Sequence, residues 1–406
     1  MKKIAFFDII RFLLLLVLVG LVCLYNHPFF YDMKEAAGIK KGSVLSPYIN
    51  ASFILLFLLS FRIKAFQQCY VLRRFAIYLL IIFFSLLVAS AFFKVSPVGE
   101  TRMFVIPIAA LMIGFVIDLT KAQYRILTLL YLIIISYVAF MQITTNIGAF
   151  VIEDQYLVDN KNSLGLVIGT GIILAFILAL EKDTNIWLKV FYLVVAVFLL
   201  YCILTIRART AMLTAVFLCF YVLYLRNGRK RIVYTIAGIG ALSLIILLFV
   251  PSVFDYFYAS IFSGYEGEDV TADRLARNAG AISAIMDAPF FCNLSYDHGV
   301  HQVHNFFLKT WYEKGLVFGW PILVMYVLQF VDIVKCSIKK CDINNRYSIG
   351  FLLGLYPFLN SLAETTLPYG PGTDSVINFI FWGMACRYLF ENKNNVLSPQ
   401  QISPSI

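Results

Sequence analysis

Residues 75–93 read Phe75-Ala76-Ile77-Tyr78-Leu79-Leu80-Ile81-Ile82-Phe83-Phe84-Ser85-Leu86-Leu87-Val88-Ala89-Ser90-Ala91-Phe92-Phe93, nineteen residues without a charge. As a helix this run is about 28 Å long, close to the ~30 Å hydrocarbon core of a bilayer. Similar runs recur at 103–120, 186–205, 232–250 and 316–334. Inside hydrocarbon only helices and closed barrels satisfy their backbone groups. A barrel would alternate apolar and polar residues in segments of about ten, and no such alternation is present. The sequence therefore predicts an all-α polytopic membrane protein of about twelve transmembrane helices, near 5–25, 46–61, 75–93, 103–120, 126–145, 164–180, 186–205, 210–225, 232–250, 316–334, 347–362 and 375–390.

Composition agrees. Of 406 residues, 61% are hydrophobic and 14% charged, against roughly 45–50% and about 25% in soluble domains. So few charges cannot cover a water-soluble surface of this size, which excludes a soluble enzyme, a nucleic-acid-binding module and a disordered chain. The net charge of +10 sits mainly in short loops, with no basic patch interleaved with exposed aromatics, so nucleic acid is not an expected partner. Eight scattered cysteines show no paired spacing, so neither a disulfide framework nor a CxxC metal site is expected. Met1-Lys2-Lys3 and the apolar run to Tyr25 lack a small-residue cleavage site and read as a retained first helix.

Lysine and arginine in short loops set the expected orientation. One set of short segments carries 19 and the opposite set 8, which places both termini in the cytoplasm. The long hydrophilic segment 251–315 then faces outward. The expected organisation is N-terminal helices over 1–185, a central region 186–335 containing that loop, C-terminal helices over 336–391 and a cytoplasmic tail over 392–406.

The outer loop holds the unusual chemistry. Residues Ser263–Asp269 are acidic and flexible in composition. Thr271–Met286 places Leu275, Ala279, Ile282 and Ile285/Met286 at helical spacing, predicting an amphipathic helix on the membrane face of the loop with Asp273 near its start. Asp287-Ala288-Pro289 ends it, because proline disfavours helix at the residue before it. Three of the four histidines then fall at His298, His301 and His304, and a second helix begins near Asn305.

Arg207 and Arg209 stand at the outer boundary between two predicted spans. Guanidinium groups there either snorkel to the interface or turn toward an anion, and the positive-inside bias favours the anion. Arg274 and Arg277 on the loop helix add two cations, each by itself readable as solvated surface. The planar fork of arginine binds phosphate oxygens bidentately at any physiological pH, so a lipid pyrophosphate suits the cluster. The histidines admit three readings: a metal site, structural roles, or a general base with a pKa near neutrality. Zinc motifs more often use HxxxH or mixed Cys/His sets. His304 is favoured as a base by its place where the loop re-enters the membrane, with Asn305 and His301 as supporting neighbours. Glu313, nine residues on, is too far along a helix to touch it.

The stretch His304-Asn305 through Gly315 and Gly319 resembles the bacterial O-antigen polymerase/ligase superfamily with its Wzy-type C-terminal domain. Arg207-Ala208-Arg209-Thr210-Ala211-Met212-Leu213, Thr271–Arg274, Asp287-Ala288-Pro289-Phe290-Phe291 and Asn160-Lys161-Asn162-Ser163-Leu164-Gly165 are similar to further segments of that family. The resemblance covers about residues 186–335; it departs after Gly315, where Phe318 stands in place of the family's next glycine and Gly319 follows.

This resemblance implies a GT-C-like, metal-independent inverting glycosyltransferase without cofactor in the bacterial inner membrane, its site facing the periplasm. The donor would be an undecaprenyl-pyrophosphate-linked glycan. His304 would be the base, with Arg209, Arg274 and Arg207, and Arg277 beside them, on the pyrophosphate. The acceptor is a saccharide for a polymerase of O-antigen or capsular repeat units, or lipid A-core for a ligase. Segment 161–165 and the modest outer loop incline toward the polymerase, and a chain-length regulator is a partner left open. A polysaccharide transporter or flippase is the reading from another class. Transporters place ionisable residues near mid-membrane, whereas here the charges inside predicted spans are Asp8, Arg11, Lys189 and Asp332.

Overall fold

The computed structural model describes residues 6–30, 33, 43–93, 96–152, 161–182, 184–206, 208–226, 274–292, 303–340, 349–364, 368–369 and 375–397. The predicted span 232–250, the acidic stretch 263–269, Arg207, His298 and His301 lie outside them. The described chain is helical without strands: α1 Phe6–Leu24, α2 Ser46–Ser60, α3 Ile63–Gln68, α4 Tyr70–Phe92, α5 Pro97–Val116, α6 Lys121–Ile152, α7 Lys161–Leu180 and α8 Ile186–Thr205. There follow α9 Arg209–Arg226, then α10 Arg274–Asp287, α11 Phe306–Lys340, α12 Gly350–Asn360 and α13 Val376–Leu397.

Eight helices among the described residues are long and apolar enough to cross a bilayer: α1, α4 to α9 and α11. The protein is a multi-pass all-α membrane protein. α2 and α12 are apolar but shorter than a full span. At 11 residues, α12 reaches about 16 Å, roughly half the hydrocarbon thickness, where the sequence predicts a span over 347–362. Two predicted pieces, a helix starting near Asn305 and a span over 316–334, are one element, α11, broken at Gly315.

Depth in the bundle does not follow hydropathy, since lipid and protein neighbours are equally apolar. Burial reaches 83% of the most apolar window of α7 but only 33% of that of α8, although their mean hydropathies are 2.5 and 2.4. Helices surround α7, whereas α8 turns Trp187, Val194 and Val197 outward. Lipid tails are as apolar as leucine, so helices associate through close packing and buried hydrogen bonds. α5 and α13 supply the first: a side chain on Gly114 would strike the Ile380 carbonyl, and one on Gly383 the Leu111 carbonyl. Asn378 supplies the second, donating from Nδ2 to Thr170 Oγ1 and to the Leu353 carbonyl, both at 3.0 Å, which ties α13 to α7 and α12.

Tyr369, fully buried, is ringed by Phe75, Phe104, Phe306 and Phe358. Its hydroxyl donates to Gln329 Oε1.

Several charges within the helices are paired at the end of the bundle opposite His304. Arg11 bonds Asp8 at 2.7 Å and the Leu59 carbonyl. Arg74 meets Asp332 at 2.5 Å, and Arg387 meets Asp118 at 3.1 Å and the Val116 carbonyl at 2.7 Å. Lys189 is half-buried near the start of α8.

Candidate functional site

His304 and Asn305 lead into α11. Asn305 caps that helix: its Oδ1 accepts from the Leu308 amide at 3.0 Å, the usual work of an asparagine at an N-cap. Its Nδ2 donates to the Leu362 carbonyl at 2.8 Å, and the Phe306 amide donates to the Ser361 carbonyl at 3.1 Å. The start of α11 is thereby fastened to the segment that follows α12. His304 is half-buried, with Nδ1 shielded from solvent. Its backbone amide donates to Asn278 Oδ1 on α10 at 3.3 Å.

α10 stands where the sequence places the loop helix and ends at Asp287, as proline at 289 requires. The face that packs differs from the predicted stripe. Ala281, Ala284 and Ile285 join Val303, Cys292 and Tyr312 in a small separate core, while Ile282 and Met286 are exposed. Small residues serve at the contact because α10 lies close on the first turns of α11. Arg274 stands one turn before Asn278 in register, and Arg277 directly precedes it; the side chains of both lie outside the described residues.

The turn after α10 docks on the break in α11. The Pro289 carbonyl accepts from the Leu316 amide at 3.0 Å and from Trp311 Nε1 at 2.9 Å, and the Phe290 carbonyl accepts from the Val317 amide at 3.1 Å. Gly315 makes this fit through φ 63° and ψ 173°, a combination essentially restricted to glycine. Stretches 287–291 and 304–319 thus interlock. Phe318, at the departure from the glycine pattern, packs its ring with Phe93 and Phe291 at centroid distances of 6.0 and 6.1 Å.

A second pair of stretches meets at the same end of the bundle. Arg209 opens α9, and Ala208 and Ala211 on either side fill the place a side chain on Gly165 would need. Tyr356 of α12 donates to the Ala211 carbonyl at 3.0 Å. One turn up α7, Asn162 Nδ2 donates to Glu364 Oε2 at 3.0 Å, and Ser163 Oγ accepts from Asn26 Nδ2 at 3.3 Å. α12 and the residues just past it therefore touch both groups: Leu362 and Ser361 hold Asn305 and Phe306, Tyr356 and Glu364 hold the α9 and α7 starts.

Several polar residues here carry no local sequence signal. Glu364 is 7% exposed, Asn278 is a lone amide on a loop helix, and Lys314 is buried with Nζ 3.1 Å from Glu100 on α5. Glu313 pairs with Lys309 at 3.7 Å, on its own helix. No group of three or more His, Cys, Asp or Glu able to hold a metal occurs among the described residues; His298 and His301 are not among these.

Neither a protein-family model nor a curated protein matches this chain. The functional reading rests on the residues themselves.

Proposed function

We propose that the protein is an inverting, metal-independent glycosyltransferase of about twelve spans and GT-C-like architecture that polymerises undecaprenyl-pyrophosphate-linked repeat units into O-antigen or capsular polysaccharide. It acts in the bacterial inner membrane with its site toward the periplasm. The observation that carries this reading is the bond from the His304 amide to Asn278, which joins the one described histidine of the cluster to the helix bearing Arg274 and Arg277. The packing of Ala208 and Ala211 on Gly165 brings the Arg209 segment to the same end.

In this reading His304 takes the proton of an acceptor sugar hydroxyl. The freed oxygen attacks the anomeric carbon, and the bond to the pyrophosphate oxygen breaks with its electron pair leaving on the phosphate. Inversion follows from attack opposite the leaving group. Arg209, Arg274, Arg207 and Arg277 hold the diphosphate as its charge grows, the kind of fixed electrostatic contact that contributes most when preorganised. The His304 proton then passes to solvent.

Surface polysaccharide from a deletion strain tests this. A single repeat unit on the core supports polymerase, and core without any unit reassigns the protein as a ligase. Complementation with His304→Ala separates catalysis from transport: lost chains with normal flipping of the lipid-linked unit support the enzyme, whereas lost flipping overturns it.

A further inference from the structure

Just past the end of α1, His27 is 8% exposed. Its ring stacks on Tyr137 of α6 at 5.3 Å and meets the edge of Phe30 at 6.0 Å. Pro28 follows and has no backbone N–H, so the first amide within reach of the ring is that of Phe29. It donates to His27 Nδ1 at 3.2 Å, the two-residue reach that an asparagine makes in an Asx turn. An imidazole nitrogen that accepts carries no hydrogen, so the neutral ring holds its proton on Nε2. That atom is buried and has no acceptor.

Protonation breaks this arrangement. Both nitrogens of an imidazolium are donors, so Nδ1–H would face the Phe29 N–H, donor against donor. The face of Tyr137 attracts a cation, but a stacked ring cannot accept from N–H groups lying in the imidazole plane. Among the described residues no charged side chain is shown against the ring, and burial is the cause of its lowered pKa. The turn is also a junction. The Asn26 carbonyl accepts from Gln142 Nε2 of α6, and Asn26 Nδ2 donates to Ser163 Oγ of α7 at 3.3 Å. Beside Ser163, Asn162 binds Glu364, two residues past the Leu362 carbonyl that fixes Asn305. A chain of contacts thus leads from His27 to the neighbour of His304, and Glu364 is the acidic group along it.

We propose that the turn after α1 is an acid-operated clasp: neutral His27 holds the adjoining ends of α1, α6 and α7 together, and protonated His27 leaves its place on Tyr137 and loosens the start of α7 and the segment that fastens α11. The open form takes up a proton at the ordinary 6.5, whereas the closed form refuses it. Acidification below 6.5 therefore favours the open form, by up to about tenfold for each pH unit until the depressed value is reached.

Amide hydrogen exchange of the full-length protein in phosphatidylethanolamine nanodiscs tests the clasp, with rates expressed as protection factors so that the intrinsic pH dependence of exchange cancels. Between about pH 7.5 and about pH 5.5, protection at 25–30 and 161–166 should fall about threefold or more, with roughly tenfold as the limit. Residues 8–12, at the far end of α1, should keep theirs. His27→Asn retains an acceptor for the Phe29 amide and cannot titrate, so its protection should be the same at both pH values. Unchanged protection in the wild type, or an equal acid loss in His27→Asn, overturns the clasp. A second measurement leaves the turn untouched. With His298→Gln, His301→Gln and His304→Gln, His27 is the only one of the four histidines left, and its ring carbons should titrate by NMR below 6.5 in step with the loss of protection. Titration at 6.5, or protection lost at a different pH from the ring, refutes it. No catalysis enters either measurement.

Discussion

Gly315 and Phe290 compete for one volume: any β-carbon at position 315 would lie inside contact distance of the Phe290 carbonyl. The break in α11 and the turn after α10 are consequently a single joint, and the placement of His304 depends on it through α10.

Gly315→Ala should therefore fail twice, by backbone strain and by collision. Strain at φ 63° and ψ 173° alone costs about 1–3 kcal/mol. Gly319→Ala should be milder, since its added carbon would lie 3.3 Å from the Thr310 carbonyl. Thermal unfolding in detergent gives the ranking, and a Gly319 variant less stable than the Gly315 variant would remove the joint from the account.

Lys314 and Glu100 form the buried ion pair nearest that joint, with side chains 11% and 31% exposed. Breaking a buried pair leaves one charge uncompensated, at a cost of about 3–5 kcal/mol when burial is complete. Lys314→Met should fall near or below the lower bound because Glu100 retains some access to solvent. Adding Glu100→Gln should restore part of the loss. A double-mutant cycle with coupling under ~0.5 kcal/mol would make the two charges independent.

Asn278 holds His304 by one hydrogen bond to its backbone. On the proposed function, Asn278→Ala should shorten the polysaccharide ladder and reduce transfer about tenfold, the equivalent of ~1.4 kcal/mol. Asn278→Asp keeps an acceptor oxygen and should retain more activity. The positioning role would be refuted by full transfer in Asn278→Ala with an unchanged unfolding temperature.

His27, past the end of α1, stacks on Tyr137 at 5.3 Å and accepts from the Phe29 amide at Nδ1. Burial lowers its pKa from the ordinary 6.5. The unfolded chain then binds a proton that the folded chain refuses, so stability is intact above pH 6.5 and falls as acidification proceeds toward the depressed value. His27→Gln should flatten the dependence of the unfolding temperature on pH in that acid range. An unchanged slope would assign the acid sensitivity to other groups.

The spans were legible because a helix in oil must be a long apolar run, and α1, α4 to α9 and α11 obey this. α12 was legible as apolar but not as short, since a half-span enclosed by protein has the same composition as a full one exposed to lipid. The end of α10 could be read from Pro289. Its buried face could not, because small alanines carry little hydrophobic signal and yet permit the closest approach. Asn305 was picked out beside His304, whereas its work as a cap, with Leu308 and Leu362 as partners, appears only in three dimensions. Glu364 was invisible for the same reason: its partner Asn162 is 202 positions away.

The meeting of α11 with the segment after α12 also decides how an anion can be held. A helix start carries a partial positive charge of roughly half a unit, and a helix finish the opposite. At α11 that positive pole is answered head-on: the Phe306 amide is already given to Ser361, and the Leu308 amide to the Asn305 cap. The opening turn of α11 is thus engaged by the protein itself, so in the proposed reading grip on a diphosphate falls to arginine side chains. A positive pole left open beside His304 would oppose the imidazolium that the proposed base catalysis calls for; the end of α12 set against the start of α11 offsets that pole.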